Sequence, residues 1–416
     1  MMSRYLLISI FVVAAIVPAT AQITLHQYQE SVVEYSHTFQ RAQAAVEGAY
    51  AELQVAKKNM LPSLGMSRDA TYNLRGGDGE RALGWSMRAD IVQPLFYGGE
   101  MMAAKSRAEM LWCGAVEESE ATRLAVVYDA VVAYWSLSRA EIYYHAIERY
   151  KTIVESLRDV ALHRFEEGYT SKSDLLQVES RLSDAEYQLS LAMQRWQQAL
   201  HTFNTFRGVD PECEVTLKES ILDGVQMPER ESIEEVIASH PDYVSSVAER
   251  EASRWSVRIR SAEYLPRVGL NIYGLWHPNI PNVKGSGTRL DGGVAISVSS
   301  PIFHFGQRRA ALRSARSDLR SMALAVEDVA DRIRLDESNG WTNLVATQRR
   351  CEAIRHNLDL ATENLDISTY AYGEGMATIL DVMQAQLSWL QIYTNAIAAQ
   401  YDYAVAVATY RYIVAR

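Results

Sequence analysis

Chain breakers, cysteine and long apolar runs are all scarce in these 416 residues. With only 10 Pro and 22 Gly, the chain has few places where a helix must stop, so a mostly helical fold is expected. Cys113, Cys213 and Cys351 are odd in number, far apart and without a histidine at metal-ligand spacing. They read as packing residues or free thiols, and no metal is expected. Positive charge is short as well. A formal charge of −10 and a pI near 5.5 argue against nucleic acid as a partner. Catalytic signatures are missing: the nine histidines are scattered, and there is no G-x-S-x-G, P-loop or H-E-x-x-H. Neither an enzyme nor a cofactor is expected.

Residues 1–21 carry Arg4, an apolar stretch from Tyr5 to Val17 and the small-residue ending Ala19-Thr20-Ala21. This reads as a signal peptide with an A-x-A cleavage site, its apolar core short for a membrane span. No cysteine follows the cleavage point, which argues against a lipid anchor. Nothing later approaches the roughly 18 to 20 uninterrupted apolar residues of a transmembrane helix. The exported chain is then periplasmic, secreted or inserted as a β-barrel.

The sequence is written twice. Pro94, Phe96, Gly99, Ala103, Ala104 and Ala108 recur 207 residues later as Pro301, Phe303, Gly306, Ala310, Ala311 and Ala315. The same offset turns Glu167, Gly168, Asp174 and Gln177 into Glu374, Gly375, Asp381 and Gln384. An LP pair precedes each repeat's strands, at Leu61-Pro62 and Leu265-Pro266. Each repeat reads as a helix (Gln27 to Lys58, then Ser232 to Ala262), two strand-like stretches, a very long helix and a returning helix. In the first repeat Leu83, Trp85, Met87, Ala89 and Ile91 alternate with polar residues. In the second, Val268, Leu270 and Ile272, then Val294, Ile296 and Val298, do the same. Loops at Arg75 to Arg81 and His277 to Arg289 read as hairpin connections. The helix from Gly99 to Phe165 is expected to span about 100 Å. Leu124, Val127, Val131 and Tyr134 give it a coiled-coil seam; Met383, Leu387, Leu390 and Ile397 do so for the last helix. The division that follows is residues 1–21 signal, 22–207 first repeat, 208–231 connector and 232–416 second repeat. Two readings of the strands stay open: membrane strands with one apolar face, or a small soluble sheet on helices.

The repeated P-[LI]-F-x-x-G corner, the LP before each hairpin and the repeated G-x5-D-[LV] tip resemble those of TolC-type outer-membrane efflux proteins, over essentially the whole mature chain. The resemblance implies a mainly α fold with a small β part. In a homotrimer, each copy gives four strands to a 12-stranded outer-membrane β-barrel, continued by a periplasmic α-helical barrel. It also implies a passive exit duct of a tripartite efflux or type I secretion system. Its partners are a periplasmic adaptor, an inner-membrane transporter and outer-membrane lipid. A coiled-coil scaffold without a pore, periplasmic or on the surface, is the alternative, and a secreted pore-forming toxin a third reading.

The helix–helix breaks would form the periplasmic mouth. Gly168 and Gly375 sit where helices end. Ser171 precedes Asp174 by three residues, and Thr378 precedes Asp381 by three, as in helix capping. The resemblance adds a gate: Asp381 in a threefold carboxylate ring, Gln384 one turn on where a second acid is expected, and Asp174 with Tyr372 as a hydrogen-bonding pair. The basic partner's position is Ala377, so no salt-bridge lock is expected. Gly168, Tyr169, Gly375 and Met376 would be the adaptor-contacting tips, or plain turn residues.

Overall fold

Two local codes, period 3.6 and period 2, fix the shape of the protein. The computed structural model describes residues 22–73, 82–278, 288–300, 302–303 and 305–415. The signal peptide at 1–21, the first hairpin loop, most of the second and Pro301 lie outside the described residues.

The first repeat runs α1 (Leu25–Tyr35), α2 (His37–Lys58), β1 (Ser63–Asn73), β2 (Ala82–Tyr97), α3 (Glu100–Glu166) and α4 (Lys172–Phe206). The second runs α5 (Ile233–Ser239), α6 (Pro241–Ala262), β3 (Arg267–Pro278), β4 (Thr288–Ser299), α7 (Gln307–Gly373) and α8 (Ile379–Ile413). Each repeat's opening helix, expected as one piece, is two. Ser36 breaks the first and caps α2 by accepting from Phe39 N–H. Pro241 breaks the second, standing at the first position of α6 where its missing N–H costs nothing. Between the repeats the connector holds one 3-10 turn, Ile221–Asp223, and a single bridge from Leu217 to Ile23.

α3 and α7 contain 67 residues each, about 100 Å at 1.5 Å per residue. No compact core can bury such a helix, so each folds back along a partner: α4 on α3, α8 on α7, with α3 also against α8. Towards the tips Ile147, Tyr150, Val154 and Leu157 of α3 share a core with Leu175 and Val178 of α4 and Val382 and Trp389 of α8. Of the two seams read from the sequence, Leu124 and Tyr134 are buried, as are Met383, Leu390 and Ile397, while Leu387 stays exposed. At mid-length the connector is pinned by polar anchors. Tyr134 Oη donates to Glu219 at 2.5 Å. Glu337, only 1% exposed, takes two hydrogen bonds from Arg230, at 2.9 and 3.0 Å.

The four strands form one antiparallel sheet in the order β1-β2-β3-β4. The β2–β3 register slips between Pro94 and Phe96, because Pro94 has no N–H to give the ladder and the strand bulges past it. The register sorts the side chains by face. Leu64, Ile91, Ile272 and Val294 form one row, and Leu270 with Ile296 and Val268 with Val298 extend it. The other face carries Ser67, Arg88, Asp90, Tyr273 and Asp291, with Arg88 stacked 5.0 Å from the Tyr273 ring. The apolar face is bare: Leu64, Val294, Ile296 and Val298 are all at least two-thirds exposed. Trp85 and Trp276 lie on it, 6.4 Å apart and edge to face.

Candidate functional site

The two tips are built alike, from the same backbone devices. At the end of α3, Tyr169 N–H donates to Arg164 O at 2.7 Å and Gly168 N–H to Phe165 O at 3.0 Å. At the end of α7, Met376 N–H donates to Ala371 O at 2.8 Å and Gly375 N–H to Tyr372 O at 3.0 Å. Both are Schellman endings, which need a left-handed residue just past the helix. Gly168 and Gly375 supply it at φ of 83° and 77°.

The returning helices then start from complete capping boxes. Ser171 Oγ accepts from Asp174 N–H and Asp174 Oδ2 accepts from Ser171 N–H. Thr378 and Asp381 repeat the arrangement. The Thr378 hydroxyl also donates to Asp381 at 2.6 Å, and that of Thr170 to Asp174 at 3.0 Å. Capping is thus realised in full at both carboxylates.

These bonds favour the charged carboxylates. Asp174 is held below the usual range by Ser171 and then Thr170, and Asp381 by the Thr378 hydroxyl and backbone. A depressed folded value contributes stability that is complete above the unfolded value of about 3.9 and lost as pH falls through the folded one. The melting difference between the wild type and an Asp174→Ala/Asp381→Ala variant should therefore hold at pH 5 to 7 and close below about pH 4. A difference unchanged down to pH 3 would contradict this.

The structure brings some of the expected gate residues together and not others. Asp381 and Gln384 are both exposed, three residues apart on one face of α8. Asp174 and Tyr372 are not joined by a hydrogen bond within the protomer: the carboxylate is engaged by its own cap, and the Tyr372 phenol is buried without a partner among the described residues. Tyr169 and Met376 project from the tips, each more than 70% exposed.

One residue that bridges the hairpins was missed from the sequence. Arg164, at the end of α3, donates from Nη1 to Tyr372 O at 2.7 Å, and its guanidinium lies 4.9 Å from the Tyr372 ring. A Cβ added to Gly375 would meet Arg164 Nη2 at 3.0 Å, whereas nothing lies within 4 Å of one added to Gly168. Alanine at either glycine costs roughly 1–2 kcal/mol in a left-handed backbone. Gly375→Ala should cost more than Gly168→Ala, because Arg164 must also move. Hydrogen exchange around residues 370–380 checks this; equal protection in the two variants would contradict it.

The paired tips, the two long hairpins and the one-sided apolar sheet coincide with a family model described as outer membrane efflux protein, matched over residues 28–208 and 232–414. The chain belongs to the outer membrane efflux protein family. Among its relatives, the outer membrane efflux protein BepC of Brucella suis is 24% identical over 281 residues, 67% of this chain and 61% of that protein. The match thus spans under two thirds of that relative's length. Nodulation protein T of Rhizobium leguminosarum bv. trifolii is 23% identical over 389 residues, 88% of this chain and 79% of the relative. The fold is that of the outer membrane protein VceC of Vibrio cholerae, with a TM-score of 0.80 at 17% identity, covering 94% of this chain and 96% of that one. Family membership places the protein in the outer membrane.

Proposed function

We propose that the protein is the outer-membrane exit duct of a tripartite efflux or type I secretion system. Three copies would close their four-stranded sheets into one 12-stranded barrel, with α3, α4, α7 and α8 continuing it as a tube through the periplasm. The observation that carries this reading is the open sheet. β1 and β4 are its terminal strands, each with one edge of backbone N–H and C=O groups unpaired among the described residues, and one face is apolar except for Arg68 beside Met87. A membrane leaves no unpaired edge unpenalised, and closure with further copies removes every edge. The scaffold reading gives that apolar face no role.

In this assembly Asp381 forms a threefold carboxylate ring at the mouth, with Gln384 beside it, favouring cations over anions. Gly168, Tyr169, Gly375 and Met376 offer the contact points for a periplasmic adaptor, itself coupled to an inner-membrane transporter. The barrel's apolar face takes outer-membrane lipid, with Trp85 and Trp276 in an aromatic girdle. The duct carries small molecules or proteins passively. Purified protein in a planar bilayer should give discrete conductance steps with a cation preference that falls in Asp381→Asn. A bilayer left silent by well-folded protein would overturn the duct.

A further inference from the structure

The start of α7 carries more positive charge than its fold requires. Arg309, Arg313, Arg316 and Arg320 follow the 4-3-4 spacing of a single helix face, and all four are exposed. None of them forms an ion pair or a side-chain hydrogen bond among the described residues. Asp318 is the sole acid between residues 307 and 326, and it lies on the opposite side of the helix. Like charges three and four residues apart repel, and Arg309 also opposes the positive end of the helix. The arrangement therefore costs stability unless an anion answers it. The duplication does not demand it: the first repeat has Met102, Ser106, Glu109 and Cys113 at the same positions.

The direction of the stripe follows from the rest of the helix. Continued at the same spacing, it reaches Ala330, Glu337 and Trp341, where α5 packs and Arg230 of the connector binds. In the duct reading, on which this inference rests, that added layer lies outside the tube, since inside it would fill the passage. The arginines therefore look outward, just beyond the end of β4 at Ser299. Between strand and stripe, Ile302 and Phe305 are 97% and 93% exposed. Leu95 and Phe96, the first-repeat counterparts of Ile302 and Phe303, stay about half exposed even beside β3, so strand pairing does not hide this corner. Apolar side chains next to a cationic stripe match the boundary between acyl chains and headgroups. Each headgroup layer is roughly 5–8 Å deep, and the four arginines span about 17 Å of helix, within reach of that layer or of its surface potential. We propose that Arg309, Arg313, Arg316 and Arg320 hold the headgroup phosphates of anionic phospholipid in the periplasmic leaflet, with the chains against Ile302 and Phe305.

The test is native mass spectrometry of the full-length, detergent-extracted protein offered equimolar phosphatidylglycerol and phosphatidylcholine with identical chains, which differ in net charge. The wild type should retain phosphatidylglycerol about tenfold or more over phosphatidylcholine, since each basic residue near an anionic surface contributes about a fivefold preference. Arg309→Gln/Arg313→Gln/Arg316→Gln/Arg320→Gln should retain the two lipids equally. Arg349→Gln/Arg350→Gln/Arg355→Gln, on the exposed surface farther along α7, should keep the preference. A wild-type oligomer that holds both lipids equally, or a preference that survives the fourfold change, overturns this proposal and leaves the duct standing. A lipid-free single copy overturns both. If the fourfold variant fails to assemble, phosphatidylglycerol with a diazirine in its headgroup is photolysed on the unaltered protein. Adducts within residues 302–320 support the site, and adducts confined elsewhere overturn it.

Discussion

Val294→Lys is expected to abolish the assembled protein, while Ala295→Lys, one residue along the same strand, is tolerated. Val294 sits at the middle of β4 in the row it shares with Ile272, Ile91 and Leu64. It is 70% exposed in the single copy, which is where lipid belongs if the sheet is part of a barrel. A lysine facing the centre of a bilayer from a barrel costs about 2–4 kcal/mol, and three copies would incur that cost together. Ala295 pairs with Asn271 on the opposite face, where, in the proposed barrel, an added charge would face the water-filled passage. Heat-resistant oligomer on gels and recovery in outer-membrane fractions provide the readout. Equal assembly of the two variants, or equal failure, would count against a lipid-facing sheet.

Arg164→Ala is expected to shift the mouth towards open. The side chain contributes a charge-assisted hydrogen bond to the Tyr372 carbonyl and a stacked contact with its ring. Net contributions of about 1.5 kcal/mol are ordinary for a hydrogen bond to a charged group, and 1.4 kcal/mol is a tenfold change in an equilibrium. Open probability in planar bilayers should rise about tenfold. Arg164→Lys should behave closer to the alanine variant than to wild type, since an ammonium cannot both stack and reach the carbonyl with a planar fork. Asp174→Ala with Tyr372→Phe should raise conductance less than Arg164→Ala, because phenylalanine keeps the ring on which Arg164 stacks and the Asp174 carboxylate bonds only within its own cap in the protomer. Conductance unchanged in Arg164→Ala would remove this contact as a lock.

Much of this was legible in the sequence, and what escaped it had a physical cause. The corners, the strand alternation and the capping boxes are local, written within about ten residues, and the duplication states each twice. The break at Pro241 was also written locally, as a proline at a helix start, but the apolar period ran through it and concealed it. Ser36 left a weaker trace, one hydroxyl among Ser31, Ser36 and Thr38 in a periodic run. Arg164 was illegible for another reason: its target is a main-chain carbonyl 208 residues away, and a carbonyl has no residue type to pair with in a pattern. Asp174 shows the converse. A carboxylate three residues after a serine is a local pattern, and its cap forms as read, whereas a pairing between neighbouring hairpins is not written in any one stretch.

Cryo-electron microscopy of the detergent-extracted protein decides between a shared passage and a self-contained single copy. Three copies are expected around one continuous passage, with β1 of each copy hydrogen-bonded to β4 of the next and Leu64, Ile272 and Val294 facing the detergent belt. A single copy whose sheet edges are covered by its own helices, with no passage, would contradict it.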